Sequence, residues 1–185
     1  MLPNDLIHRF THHLKETLQK ALGFAVSNGR DIVEPGDLIV GLLEEKGALG
    51  GEIFKKAGCT AQNAVEFFHG GPSQKKSTMA LDLSMAVKKL LEKCIVTAHL
   101  REHKFVGTEH LAAAIAECDD PTVLEFFKKH NVNLATLRDQ VESVLRSTSN
   151  FPSMDQLLQR AQDEEDLVDG LDVDEERPLP PSLTN

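Results

Sequence analysis

The sequence contains no tryptophan and no tyrosine, so a hydrophobic core must be built from aliphatic side chains and the nine phenylalanines. It also lacks an uninterrupted apolar run of the roughly 18 residues that a membrane-spanning helix needs. The N-terminus does not show the basic and then apolar order of a secretory signal. Together these absences predict a cytoplasmic protein with no membrane partner.

Two kinds of reactive site are missing as well. The sequence has no Gly-x-x-x-x-Gly-Lys-Ser/Thr motif, the loop that cradles nucleotide phosphates, so any ATP chemistry that it serves must be performed by another polypeptide. The three cysteines, Cys59, Cys94 and Cys118, are far apart and form no Cys-x-x-Cys pair. We expect them to be small buried hydrophobic residues in a reducing compartment, with one exposed thiol.

The formal net charge of −9 is concentrated near the C-terminal end. From Ser153 onward ten Asp and Glu residues stand against two arginines, which leaves the first 152 residues nearly neutral. A nearly neutral body without a basic patch argues against nucleic acid as the ligand. The acidic, proline-bearing segment 148–185 is predicted to be a flexible tail, with a short helix at Met154–Val168.

The strongest positive signal is an internal repeat. Residues 10–58 align without a gap on residues 83–131, a shift of 73 positions, with 11 identities among 49 aligned positions. Self-similarity at a fixed spacing means that one supersecondary unit is used twice. The predicted organisation is a leader at 1–9, a first repeat at 10–70, a linker at 71–80, a second repeat at 81–147 and the tail at 148–185.

Apolar residues within each repeat recur at the three- and four-residue spacing of helices. In the first repeat Thr11 is a predicted N-cap, Asn28-Gly29 ends the helix, Asp31-Ile32-Val33 is an extended link and Pro35 begins a second helix. Glycines at 47, 50 and 51 are expected to end that helix. The remaining predicted helices are Glu52–Ala57 and Ala61–His69 in the first repeat, then Met85–Leu100 capped by Ser84, Glu109–Glu117 capped by Thr108, Thr122–His130 opened by Pro121, and Leu134–Leu145. The predicted fold is all-α, with two tandem four-helix repeats and no strands.

A family resemblance rests on motifs at matching points of the two repeats. Each repeat begins with an apolar residue and a hydroxyl residue, Phe10-Thr11 and Leu83-Ser84, and the second contains Val106-Gly107-Thr108-Glu109-His110-Leu111. With the repeat length and the acidic exit linker, residues 10–145 resemble the N-terminal domain of the Clp AAA+ unfoldases of the ClpC and ClpA type. The resemblance implies an eight-helix, pseudo-twofold domain that captures substrates or adaptors for an ATP-driven unfoldase and its protease partner.

The same resemblance implies a binding site. In some ClpC-type domains the glutamate of this motif binds phosphoarginine, so Glu109, with Thr108 and His110 beside it, is implied to contact substrate or adaptor. A carboxylate suits this role because it can pair with a guanidinium through two charge-assisted hydrogen bonds. The phosphate of such a tag would also need cationic or amide partners, which the sequence does not place.

The first repeat departs from the motif. It has Glu34, Gly36 and Asp37 as the degenerate counterpart, and Gly36 stands where the second glutamate is expected. Glu34 or Asp37 could substitute only from a shifted position. Recognition of phosphoarginine at two sites is therefore not expected.

A structural role is the other interpretation of the second-repeat motif. Thr108 is a good N-cap, and Glu109 in the first helical turn interacts favourably with the helix dipole by about 0.3–1 kcal/mol. His110 is then expected to bond a neighbouring backbone carbonyl. In this interpretation none of the three residues is catalytic.

Other constellations carry little weight. His8, His12 and His13 include a pair with the i,i+4 spacing of metal ligands, but no nearby Cys, Asp or further His completes a site. Glu66 and His69 form a Glu-x-x-His motif of the di-iron type, which would have to occur twice. No motif supports a cysteine–histidine nucleophile.

Each phenylalanine pair, Phe67-Phe68 and Phe126-Phe127, is expected to place one ring near the core, and the other could lie in a surface groove that takes apolar client segments. Core packing is the favoured interpretation for most of these rings.

The predicted function is therefore a non-catalytic binding domain that delivers client proteins or adaptors to a Clp-type AAA+ unfoldase and its peptidase. It could be a free-standing accessory chain or a separated part of a longer unfoldase. The alternative is a stand-alone helical interaction protein with no role in proteolysis. We expect no cofactor, no metal and no nucleic-acid partner, and a monomer when the chain is on its own.

Overall fold

A computed structural model describes residues 7–69 and 82–149 of the chain. Within these ranges it contains eight α-helices and two strands of two residues each. In chain order they are α1 His12–Ser27, β1 Ile32–Val33, α2 Pro35–Glu44, α3 Leu49–Lys56, α4 Ala61–Phe68, β2 Asp82–Leu83, α5 Met85–Leu100, α6 Thr108–Ala116, α7 Pro121–Lys129 and α8 Leu134–Ser149. The predicted linker and the predicted helix at Met154–Val168 lie outside the described residues. Among the helices that are described, none has the length and apolar character to cross a membrane.

The all-α fold with four helices in each repeat is confirmed, and two of the predicted caps are found. The Thr11 hydroxyl accepts a hydrogen bond from the Leu14 amide at 3.2 Å, and the Ser84 hydroxyl accepts one from the Val87 amide at the same distance. These hydroxyls satisfy amides in the first turns of α1 and α5, which have no partner within the helix. The first helix of each repeat therefore begins in the same way.

The prediction of no strands is wrong, because the repeats exchange short extended segments. Val33 of the first repeat pairs in parallel with Leu83 of the second, and Phe10 of the first pairs in parallel with Val106 of the second. The Ser84 amide donates to the Val33 carbonyl at 3.0 Å, and the Thr11 amide donates to the Val106 carbonyl at 2.9 Å. Phe10 and Leu83 occupy equivalent positions of the repeat, as do Val33 and Val106. The exchange is therefore reciprocal.

The core surrounds the second helix of each repeat, α2 and α6, which are buried over most of their length. Rings from both repeats meet beside them. Phe54 and Phe127, at equivalent positions, have ring centroids 5.8 Å apart, and Phe126 lies 4.9 Å from Phe68. Phe126 and Phe127 are both fully buried, so the favoured interpretation of core packing is confirmed for that pair and neither ring lies in a surface groove. The rings of Phe67 and Phe68 are half-buried.

The third helix begins earlier than predicted. Glycines at 50 and 51 were expected to break the chain, but α3 starts at Leu49 and includes both. A Cβ on Gly50 would lie 2.2 Å from the backbone oxygen of Thr108, and one on Gly51 would lie 2.4 Å from that of Leu42. These glycines allow α3 to approach α2 and α6 closely.

Thr108 is not the N-cap of its own helix. The cap of α6 is Gly107, and the Thr108 hydroxyl instead accepts a hydrogen bond from the Gly50 amide of α3 at 3.1 Å. Ala48, the N-cap of α3, makes no side-chain capping bond. The equivalent helix α7 is capped by its own residue, Asp120, whose carboxylate accepts from the amides of Thr122 and Val123. Thr108 of the second repeat therefore supplies the cap that the first repeat lacks.

The cysteines differ in their exposure. Cys59 and Cys94 are fully buried, whereas Cys118 is half-buried. Burial raises the pKa of the Cys59 thiol to about 12 and raises the pKa values of the Cys94 and Cys118 thiols as well. All three are therefore thiols rather than thiolates at neutral pH.

Glu45 is a buried carboxylate with two basic partners. Its side chain bonds Lys20, and its Oε1 lies 2.8 Å from His13 Nδ1. Hydrogen bonds from Lys20 and then His13 hold the pKa of Glu45 below its usual value against the opposing effect of burial. This cluster joins α1 to the end of α2.

Replacing Thr108 tests the cap between the repeats. Thr108→Val keeps the shape of the side chain but leaves the buried Gly50 amide without its acceptor, so we expect a loss of about 1–2 kcal/mol in the free energy of unfolding. Thr108→Ser keeps the hydroxyl and should lose much less. Urea unfolding followed by far-ultraviolet circular dichroism measures the difference, and equal losses in both variants would contradict a capping role.

The Glu45 cluster predicts a specific dependence of stability on pH. Because the folded-state pKa of Glu45 is lowered, its stabilisation is complete above its unfolded-state pKa of about 4.3 and is lost as the pH falls through the lower folded-state value. Glu45→Gln should cost about 1 kcal/mol at neutral pH and should flatten the loss of stability between about pH 5 and 3. The exposed neighbour offers a matched control, Glu44→Gln. An unchanged acid limb in Glu45→Gln would show that other carboxylates cause the acid loss.

Candidate functional site

The second-repeat motif lies at the N-terminus of α6. Gly107 precedes the helix in an extended conformation, and Thr108, Glu109 and His110 form its first turn. Thr108 and His110 are buried, and the Glu109 side chain is 15% exposed. Glu109 is therefore the only one of the three predicted residues with part of its side chain at the surface.

His110 is held by two hydrogen bonds. Its Nδ1 accepts from the Gly107 amide at 2.9 Å, and its Nε2 lies 2.7 Å from Nδ1 of His103. The prediction of a carbonyl partner is therefore wrong, because an amide occupies Nδ1 and a second imidazole occupies Nε2. The His103 partnership was missed from the sequence.

The Glu109 carboxylate turns back over Gly107. A Cβ on Gly107 would lie 2.3 Å and 2.4 Å from the two carboxylate oxygens, so the absence of a side chain there makes room for them. Glu109 Oε1 lies 3.2 Å from Nδ1 of His110. Burial raises the pKa of Glu109, but a hydrogen bond from His110 Nδ1, when that nitrogen carries a proton, and one from its own amide outweigh burial and leave the pKa of Glu109 below its usual value.

One nitrogen atom thus has two potential partners. Nδ1 of His110 can accept from the Gly107 amide or, when it carries a proton, donate to Glu109. It cannot do both, because a ring nitrogen offers either one lone pair or one N–H.

The first repeat has the same geometry with different chemistry. The Asp37 carboxylate accepts from the Glu34 amide at 2.8 Å and forms a bidentate pair with Arg30, in which Nη1 lies 2.8 Å from Oδ2. Asp37 and Arg30 are equivalent to His110 and His103. The first repeat therefore has an ion pair at the positions where the second has a pair of imidazoles. Both pairs are separated by seven residues, and this shared spacing is the sequence signal that could have revealed the imidazole pair.

Phe68 explains the missing glutamate at Gly36. A Cβ on Gly36 would lie 2.3 Å from the Phe68 ring, so the ring fills the space of any side chain at that position. With the same shift of 73 positions, Phe68 corresponds to the smaller Val141 in the second repeat. Beside Gly36 is a cavity of about 290 Å³ whose lining includes Glu34, Phe67 and Asp120.

A groove between the repeats is a feature that the motif analysis did not find. It has a volume of about 360 Å³ and is bounded by α1, α5 and the exchanged strands. Its lining is almost entirely apolar, and its two polar residues are Lys15 and Gln19. The apolar lining residues are Ile7, Phe10, Leu18, Leu22, Val33, Leu38, Leu83 and Leu91. Leu18 and Leu22 are only half-buried, although they belong to the apolar stripe of α1.

The candidate metal residues do not converge. His13 bonds Glu45, His12 lies 4.0 Å from Glu16, and Glu66 accepts from Gln62 at 2.9 Å. Within residues 7–69 and 82–149 there is no group of three or more His, Cys, Asp or Glu side chains placed to hold a metal ion.

Comparisons with known proteins agree with this architecture. The chain is 25% identical over 150 residues to a ClpA homologue from Cyanidium caldarium, an ATP-dependent Clp protease ATP-binding subunit. The alignment covers 78% of this chain and 17% of the relative. It is 23% identical over 165 residues to the ClpC subunit of Staphylococcus saprophyticus, covering 82% of this chain and 20% of that protein. This chain therefore spans about a fifth of the length of these relatives.

A solved structure has the same fold. The N-terminal domain of the Clp-protease-associated chaperone ClpD from Arabidopsis thaliana superposes with a TM-score of 0.64 at 20% identity, covering 78% of this chain and 99% of that domain. The family model described as the Clp repeat (R) N-terminal domain matches residues 9–121 and 82–168. This chain belongs to the Clp repeat N-terminal domain family.

Proposed function

We propose that this chain is a non-catalytic binding domain that presents client proteins or adaptors to a Clp-type AAA+ unfoldase and its peptidase. The observation that carries the proposal is the apolar groove between the two repeats, in a fold whose relatives include ATP-binding subunits of Clp proteases. The chain corresponds to about a fifth of those relatives, so in this proposal the ATPase lies outside the part that the chain matches.

The groove has the properties of a peptide-binding surface. Its volume of about 360 Å³ lies within the usual range of ligand pockets, and its half-buried leucines, Leu18 and Leu22, offer apolar contact area. An amphipathic segment of a client or adaptor would bury apolar side chains there. The Lys15 ammonium at the edge favours an acidic residue beside them.

The motif at α6 would add a polar contact. Glu109 is the group that reaches the surface, and its carboxylate suits a cationic side chain of the ligand. Thr108 and His110 would be positioning residues, because the Thr108 hydroxyl bonds α3 and the His110 ring supports the turn that carries Glu109. In the first repeat Phe68 excludes a glutamate at Gly36, and Asp37 is neutralised by Arg30, so among these three motif positions Glu34 is the exposed carboxylate.

Affinity capture from the native lysate, with ATP present and mass spectrometry as the readout, tests this function. We expect the tagged full chain to enrich an AAA+ unfoldase or a Clp peptidase together with client or adaptor proteins. Leu22→Lys places a charge in the groove and should reduce client and adaptor recovery about tenfold, since burying an unpaired ammonium opposes binding. Glu109→Ala removes the proposed polar contact and should also reduce client and adaptor recovery below that of the unchanged chain.

Val26→Lys is the matched control, because Val26 lies on the same helix but is exposed and outside the groove lining. Circular dichroism checks that each variant keeps its helices. Recovery of neither an unfoldase nor a peptidase would overturn the link to proteolysis and favour an interaction module of another kind. An equal loss of client and adaptor recovery in Leu22→Lys and Val26→Lys would show that the groove is not the binding surface.

A further inference from the structure

A chain of hydrogen bonds runs through two imidazoles in the second repeat. It begins at the Gly107 amide, passes through the rings of His110 and His103, and ends at the backbone of Leu145 in α8. The amide can only donate, so Nδ1 of His110 is an acceptor and Nε2 carries the hydrogen that is donated to Nδ1 of His103. The remaining hydrogen of His103 is then on its Nε2. Both rings are neutral in this arrangement.

In this neutral state the contact between His110 and Glu109 is unfavourable. Glu109 Oε1 lies 3.2 Å from Nδ1, and both atoms present lone pairs. A proton on Nδ1 would change the sign of this interaction, because an imidazolium N–H would face a carboxylate at hydrogen-bonding distance. The Gly107 amide, 2.9 Å from the same nitrogen, would then face another N–H and lose its acceptor.

We infer that the second repeat contains a proton-operated switch, in which His110 Nδ1 accepts from the Gly107 amide in one state and donates to the Glu109 carboxylate in the other. One proton is taken up at Nδ1, and no bond between heavy atoms changes. The hydrogen on Nε2 of His110 stays in its hydrogen bond to Nδ1 of His103, so the added proton makes His110 the imidazolium. The first repeat does not have the switch, since Asp37 and Arg30 hold the equivalent positions as a permanent ion pair.

The charged groups around His103 and His110 have opposite effects on protonation of this pair. Glu109 on α6 stabilises the protonated pair, while Arg101 at the end of α5 opposes it and is itself paired with Glu142 of α8. The Arg9 guanidinium, which bonds the His103 carbonyl at 3.1 Å, is a further cation nearby. Burial and the adjacent His110 ring lower the pKa of His103. Burial, Arg101 and the His110 ring thus oppose a positive charge on His103, and the Glu109 carboxylate favours one.

The two states hold the start of α6 differently. At neutral pH the Gly107 amide is bonded to His110 and the Glu109 carboxylate has no donor on that ring. After protonation the carboxylate is bound by the imidazolium and is less free to meet another cation. The consequence for ligand binding rests on the proposed function of Glu109, whereas the switch itself does not.

Nuclear magnetic resonance of the full chain tests the switch without any ligand. Ring-nitrogen shifts should identify His110 as the Nε2–H tautomer at about pH 7.5. As the pH is lowered, His103 and His110 should shift together in a transition of one proton, and the Gly107 amide signal should move upfield as its hydrogen bond is lost. Finding the Nδ1–H tautomer at the starting pH, or an unmoved Gly107 amide, would overturn the proposal.

Variants identify the carboxylate partner. Glu109→Gln removes the charge that stabilises the imidazolium, so the midpoint should fall by about one pH unit. Glu92→Gln, an exposed glutamate on α5, is the control and should leave the midpoint unchanged. An unchanged midpoint in Glu109→Gln would contradict the proposed partnership. Because these readouts contain no client or adaptor, failure of the switch leaves the capture experiment unaffected, and failure of capture leaves the switch standing.

Discussion

The reciprocal exchange of backbone hydrogen bonds between the repeats is the interaction on which the rest of the structure depends. Phe10, two positions before α1, pairs with Val106, two positions before α6. In the same way Leu83, two positions before α5, pairs with Val33, two positions before α2. Each pairing satisfies amides and carbonyls that would otherwise need water at the repeat boundary. It also sets the directions in which α2 and α6 enter the core, and it forms one wall of the apolar groove.

On this shared frame the two repeats differ in chemistry at matched positions. The first repeat has Gly47 where the second has the capping residue Asp120, and Thr108 of the second repeat compensates by capping α3. Asp37 with Arg30 becomes His110 with His103, and Gly36, where the Phe68 ring fills the space of a side chain, becomes Glu109. Equivalent backbone positions therefore carry an ion pair in the first repeat and a pair of hydrogen-bonded imidazoles in the second. The duplication preserves packing and leaves polar chemistry free to diverge.

The sequence predicted what depends on local rules and missed what depends on contacts between distant residues. Helical spacing and the hydroxyl residues Thr11 and Ser84 located the helices and their starts, because a cap acts within one turn. The strand exchange joins residues far apart in sequence, and no local pattern indicates it. Gly50 was predicted to end a helix, but it lies inside α3, where the absence of a side chain allows close contact with Thr108. The motif located Glu109, but only the structure relates it to the pair of imidazoles formed by His110 and His103.

Native-state hydrogen exchange at the exchanged strands tests the central claim most directly. The amides of Thr11 and Ser84, which donate to the Val106 and Val33 carbonyls of the opposite repeat, should exchange only when the whole domain unfolds. Their opening free energies should then equal each other and the global free energy of unfolding. Exchange of either amide through a lower-energy opening, with the core helices still protected, would contradict the view that this exchange holds the two repeats together.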